Sequence, residues 1–310
     1  MVLAAYILVT GSFLFFATAI LGLPADLAGL IMALSTFWDA VTDLPVGWIS
    51  DQTRSQRYGR RHAYLILGGI GVALCSVFLW PAPRGMPTLA TTLWLGSGIF
   101  ALKTTLTVFV IPHPVLGGEL TDDYDTRTVV QGYRAAFQIL GMLLALVGSN
   151  LVFFRSTPVY AQEQLNPHAY APMGWACAVL VLLATLWTVA GTWRYIPRLR
   201  APQHTARPHW REFLPLLRDR NLRALLLMMI LALEIGLQIG IALGVYTYTY
   251  GLNDPQMGLL ALSLLLAAAL SQPLWIWMAR RLDKKPALVV AAGIAAFGYV
   301  MAPFTHVAWN

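Results

Sequence analysis

The sequence predicts an all-α protein that crosses a membrane about nine times, and three observations carry that prediction. Of its 310 residues, 58% are hydrophobic and 11% charged, whereas a soluble domain of this length is about a quarter charged. The apolar residues gather into runs long enough to span a bilayer, which takes about 20 residues. The turns between those runs alternate between strongly basic and nearly uncharged. So much apolar surface cannot be hidden from water within one chain, and in lipid only helices and closed barrels satisfy their own backbones.

In order, the runs fall near 3–22, 25–50, 63–82, 88–112, 128–154, 171–193, 222–250, 256–279 and 286–304. Residues 1–22 lack a basic leading segment and a small-residue cleavage site, so they read as a span and not a signal peptide. The turns after the second, fourth, sixth and eighth runs hold most of the 21 Lys and Arg residues; the opposite turns hold Arg84 and Arg155. The positive-inside rule then places the basic turns and the N-terminus in the cytoplasm of a cell bounded by this (inner) membrane. The net charge of +7 is therefore topological and implies no nucleic-acid partner. Cys75 and Cys177 both fall in apolar runs, too few and too buried for a disulfide framework or a metal site.

The longest basic loop, 194–221, is rich in Pro, Arg and His and reads as a solvated linker. It separates a six-helix bundle, 1–193, from three helices, 222–310. Six spans followed by a basic linker is also how a two-bundle transporter begins.

Ionisable side chains stand inside the spans: Asp39, Asp43, Lys103, Arg134 and Glu234. At 1.5 Å rise per residue, Asp39, Lys103 and Glu234 each lie near the middle of their helix. A charge at the bilayer centre costs about 2.5–3.5 kcal/mol, so three of them facing lipid would approach the whole stability of an ordinary domain. They are expected to face one another or a wet cavity. Asp39 and Asp43, four residues apart, share one helix face. Two carboxylates converging on a desolvated site share a proton or hold a cation between them, and Thr36 and Ser35 could add hydroxyl oxygens one turn earlier. Lys103 has two readings: fixed counter-charge of Asp39, or substrate contact. Arg134 lies nearer the cytoplasmic end of its run, from which it could reach Asp43, and Thr107, Gln138, Asn150, Glu234 and Gln238 offer polar groups to a solute. Tyr246, Tyr248 and Tyr250 read as an interfacial aromatic belt.

The stretch WDAVTDLPVGWISDQTRSQRYGRR, 38–61, resembles the second helix and following loop of the glycoside–pentoside–hexuronide:cation symporters, the melibiose-permease branch of the major facilitator superfamily. IPHPVLGGELTDDYDTRTVVQGYRAAFQILG, 111–141, is similar to that family's loop between helices four and five. REFLPLLRDRNLRALLL and QPLWIWMARRLDKK extend the likeness along the chain. The resemblance implies a secondary transporter of two six-helix bundles working by alternating access, with no enzymatic activity and no cofactor beyond a coupling ion. It implies that Asp39 and Asp43 match the helix-two carboxylates of the coupling-cation site, and that Arg134 matches the fifth-helix arginine beside it. Asp51, Arg54, Gly59, Arg60 and Arg61 match the superfamily's loop that latches the cytoplasmic gate.

Two departures matter. Where melibiose permease has sugar-binding aspartates in its first and fourth helices, this chain has Leu3 and Val110, so melibiose-like recognition does not carry over. Lys103 is outside the family pattern, and an ammonium beside a cation site repels sodium. The coupling ion, H⁺ or Na⁺, is therefore expected to be H⁺. The family has twelve helices and nine are read here, so the expectation is a fragment or a truncated product without saturable uptake of its own.

The solute expected is a sugar or glycoside, with a lipid or other non-sugar solute as the alternative on the same fold. A distant alternative is an intramembrane prenyltransferase, which needs two Asp-rich motifs holding Mg²⁺ and a diphosphate. Asp39 with Asp43 could form one, and Asp122, Asp123 and Asp125 another, but the latter read more simply as helix N-terminal charge.

Overall fold

The computed structural model describes residues 1–53, 55, 57–81, 85–154, 165–199, 218–224, 226–227 and 254–301, and every regular element among them is a helix. These residues fall into two units, 1–204 and 205–310.

Among the described residues, the first unit holds seven α-helices. α1, Val2–Phe15, is apolar all round, as a membrane-spanning helix can be, and it buries one face, with Ala5, Val9 and Phe13 fully enclosed while Leu14 stays exposed. It runs on into a π-helical turn, Phe16–Ile20, and the chain reverses at Gly22, whose φ of 70° suits glycine. Pro24 precedes α2, Ala25–Gln52, a 28-residue helix that tolerates Pro45 in its interior. α3, His62–Phe78, stops short of the expected 82 because Pro81 follows within three residues. α4, Thr88–Val110, breaks at Ile111, and Pro112 then opens α5, Pro112–Glu119. Proline at a first helical turn loses no hydrogen bond, so the helical path runs on well beyond the predicted end at 112. α6 covers Tyr124–Val152, and α7, Tyr170–Thr192, ends in a 3₁₀ segment, Trp193–Arg198.

Glycines set how these helices pack. Added Cβ atoms at Gly68 and Gly71 of α3 would stand 2.6 Å from the Phe109 backbone nitrogen and 2.4 Å from Thr105 of α4. At Gly69 the neighbour is Thr185 of α7, at 2.3 Å. α3 is thus sandwiched closely between α4 and α7, antiparallel to both. α2 lies parallel to α4: Ile31 meets Gly96, Trp38 meets Thr104, and Gly47 meets Ile111. A parallel pair needs a return helix between its members, and α3 is that return. α6 packs on α1 and α5. Phe16, Trp80, Phe154 and Tyr170 stack into one aromatic cluster with ring centroids 4.8–5.3 Å apart, tying α1, α7 and the segments after α3 and α6.

In the second unit, Asp219 Oδ1 accepts hydrogen bonds from the backbone of Asn221 (2.7 Å) and Leu222 (3.0 Å), which caps a helix at the expected start of the seventh span. Most of that span, with Glu234, Gln238 and the three tyrosines, lies outside the described residues. α8, Asp254–Leu282, and α9, Lys284–Met301, follow the eighth and ninth predicted runs, joined at Asp283. Arg280 and Arg281 close α8, where the helix dipole favours cations. Among the described residues, five helical stretches are long and apolar enough to cross a membrane: Val2–Ile20, Ala25–Gln52, Thr88–Glu119, Tyr170–Pro197 and Leu262–Leu282.

Candidate functional site

The parallel register of α2 on α4 brings the mid-helix charges together. Lys103 Nζ stands 2.9 Å from Asp39 Oδ2 and donates to Thr36 Oγ1 at 3.0 Å. One turn along, Thr107 Oγ1 donates to Asp43 Oδ1 at 3.0 Å. Trp38 Nε1 adds a bond to Thr104 Oγ1 at 2.8 Å. The result is a ladder: Asp39 and Asp43 on α2, four residues apart, facing Lys103 and Thr107 on α4, also four apart. The Lys103 side chain is 4% exposed and that of Asp39 32%. Of the two readings of Lys103, the geometry is that of the counter-charge. Such a pair lets both helices keep charge at mid-depth without exposing it to lipid.

The other expected members lie elsewhere. Ser35 is buried and donates to its own helix at Met32 O, 2.8 Å. Arg134 is exposed on α6, within electrostatic range of His113, and forms no ion pair among the described residues. The structure does not bring it to Asp43, because α6 packs on α1 and α5 instead of on α2 and α4. Gln138 is half-buried one turn further along α6. The side chains of Asn150, Glu234 and Gln238 are outside the described residues.

A second ionic cluster gathers where α2 and α5 end and α3 begins. Arg61, 3% exposed, donates from Nη1 to Ser50 Oγ at 2.7 Å and from Nη2 to Glu119 Oε1 at 3.2 Å, and also pairs with Asp51. Arg60 pairs with the same Glu119 oxygen. Both carboxylates sit at helix C-termini, whose dipoles draw the guanidinium groups in. Gly59 turns the chain with φ 62°, and a Cβ there would meet Ile196 at 3.1 Å. Tyr58 and His62 both present edges to Trp193, and His62 Nε2 is 2.9 Å from Thr192 Oγ1, so the α2–α3 turn is seated on the segment after α7. Arg54 is outside the described residues. Glu119 was not singled out from the sequence. Its only signal was its place in the GGEL portion of the second matching block.

The DDYD run does local work. Asp123 Oδ2 caps α6 by accepting from Thr126 N at 2.6 Å, and Asp122 pairs with Arg127 at 3.4 Å. Among the described residues no group of three His, Cys, Asp or Glu side chains is arranged to hold a metal ion.

A family model described as MFS/sugar transport protein matches residues 1–310. An uncharacterized symporter of Synechocystis is 32% identical over 183 residues, 56% of this chain and 32% of that relative. An inner membrane symporter of Escherichia coli, YicJ, is 28% identical over 134 residues, 43% of this chain and 29% of the relative. The sodium-dependent lysophosphatidylcholine symporter 1-B of Danio rerio is 25% identical over 137 residues, 44% of this chain and 26% of the relative. The matches thus span a third or less of those relatives' own length. Helices long and apolar enough to cross a membrane and a family match across residues 1–310 lead to one conclusion: the chain belongs to the MFS/sugar transport protein family, a family of integral membrane transporters and not of enzymes.

Proposed function

We propose that the protein is a secondary active transporter of the cell inner membrane, its N-terminus cytoplasmic, that moves a sugar or glycoside-like solute together with a cation by alternating access. The observation that carries the reading is the ladder of Asp39 and Asp43 on Lys103 and Thr107, an ionic site held midway along two parallel helices. Charge placed there, at a cost of about 2.5–3.5 kcal/mol per group, is hard to account for as packing alone. The cluster of Asp51, Arg60, Arg61 and Glu119 supports a cytoplasmic latch, since its pairs join elements that would part when that side opens. Thr107, Gln138, Glu234 and Gln238 supply the amide, hydroxyl and carboxylate groups a polar solute needs. H⁺ is favoured over Na⁺ as the coupling ion.

The second reading, a lipid-like solute, draws on the zebrafish relative named for lysophosphatidylcholine. Uptake of labelled glycosides and of labelled lysophosphatidylcholine into proteoliposomes separates the two. Asp39→Asn and Asp43→Asn are expected to abolish accumulation of whichever solute enters. Undiminished uptake by both variants would sink the reading.

A further inference from the structure

The family resemblance assigns Asp39 and Asp43 to a coupling-cation site, and one relative is named a sodium-dependent symporter. The residues present here do not fit an alkali-metal ion. Such an ion needs several oxygen atoms with free lone pairs directed at one point. Asp39 Oδ2 is already engaged by the Lys103 ammonium at 2.9 Å, and the same ammonium takes Thr36 Oγ1 at 3.0 Å. Thr36 in turn spends its proton on Met32 O at 3.0 Å, so its oxygen faces Lys103 as an acceptor, as it would face a metal. Asp43 Oδ1 receives the Thr107 hydroxyl at 3.0 Å. Two of the three donors of the ammonium are thus spent on the very oxygens a metal would need.

We propose that Lys103 is the resident cation of this site: a tethered ammonium standing in for an alkali-metal ion, so that the protein as it exists binds neither Na⁺ nor Li⁺ there, and removal of the ammonium creates a site that does. The proposal rests on reading this ladder as the coupling site and adds which residue sets its ion specificity. Two like charges about 4 Å apart at an effective dielectric of about 20 weaken binding roughly a thousandfold. Lys103, buried to 4% exposure, is held in place by Asp39 and Thr36 together. Asp39, 32% exposed, stays open on one side, so loss of the ammonium leaves a carboxylate and a hydroxyl that an entering ion can reach.

The test measures ion binding by the purified protein in nanodiscs, with no solute present. Melting temperature is recorded with about 100 mM NaCl or LiCl in place of choline chloride. The wild type is expected to show no change, and so is the charge-retaining Lys103→Arg. Lys103→Ala and Lys103→Ser are expected to gain a rise of about 2–4 °C, and Asp39→Asn added to Lys103→Ala is expected to abolish it. A rise in the wild type that Asp39→Asn removes, or no rise in either small variant, overturns the proposal. Should neither small variant fold, binding of radioactive sodium to the wild type decides: saturable binding lost in Asp39→Asn overturns it, and its absence upholds it. Because no solute enters this measurement, failure of the transport reading leaves its outcome unchanged. Conversely, coupled uptake without an ion-dependent shift in Lys103→Ala would refute this proposal alone.

Discussion

Thr107 Oγ1 donates to Asp43 Oδ1 at 3.0 Å one helical turn beyond the contact of Lys103 with Asp39, so each carboxylate of α2 has its own partner on α4. The two rungs are chemically unlike. One holds a full opposite charge and the other a neutral hydroxyl.

That asymmetry predicts unequal costs of substitution. Asp39→Asn strands the Lys103 ammonium, 4% exposed, and is expected to destabilise by about 3 kcal/mol. Lys103→Met strands Asp39, which is 32% exposed and can be hydrated, and is expected to cost about 1 kcal/mol in sodium-free buffer. The double variant should recover most of the loss. Thermal unfolding in nanodiscs measures all three, and equal losses for the two single variants would contradict the burial difference.

At the second rung, Thr107→Val keeps the shape and removes the donor. The expected loss of stability is about 1 kcal/mol, accompanied by weaker accumulation of solute in the uptake assay. Thr107→Ser, which keeps the hydroxyl, should stay near the wild type in uptake.

Arg61 holds Ser50, Asp51 and Glu119 at once and is almost fully buried. Arg61→Ala is expected to cost about 3 kcal/mol, because Glu119 is left buried with one fewer counter-charge. Arg61→Lys should not restore it, since an ammonium lacks the planar fork that reaches three acceptors on two helices. Glu119→Gln is expected to raise the reactivity of a cysteine placed at Asp51 toward membrane-impermeant thiol reagents from the cytoplasmic side.

Glycine contacts give a test of the packing itself. A Cβ at Gly174 would stand 2.4 Å from the Ser76 carbonyl oxygen, a backbone atom that cannot step aside, so Gly174→Ala is expected to push α7 from α3 and cost about 1–3 kcal/mol. Gly29, in α2, has nothing within 4 Å of its added Cβ. Gly29→Ala should be neutral or stabilise by up to about 1 kcal/mol through helix propensity. Melting temperatures that moved the same way for both would refute the assigned packing of α3 on α7.

Much of the candidate site is legible in the sequence. Asp39 and Asp43 announce themselves because charge in an apolar run is costly, and their spacing alone places them on one face. Glu119 did not announce itself: it sits at a helix end among polar residues, where a carboxylate is ordinary, and only the folded chain shows Arg60 and Arg61 on it. For Arg134 the sequence left the partner open, and the folded chain packs α6 on α1 and α5.

By itself the sequence determined which segments are helical and apolar and which residues had to be kept from lipid. Those properties follow from near neighbours and from the energy of placing a charge in hydrocarbon. Tertiary structure decided the partners. That Lys103 pairs with Asp39 and Thr36, and that Arg61 closes on Glu119, depends on α3 drawing α4 parallel to α2 through glycine-lined contacts. Contacts between residues some sixty positions apart come from the fit of helix surfaces, which no local pattern encodes.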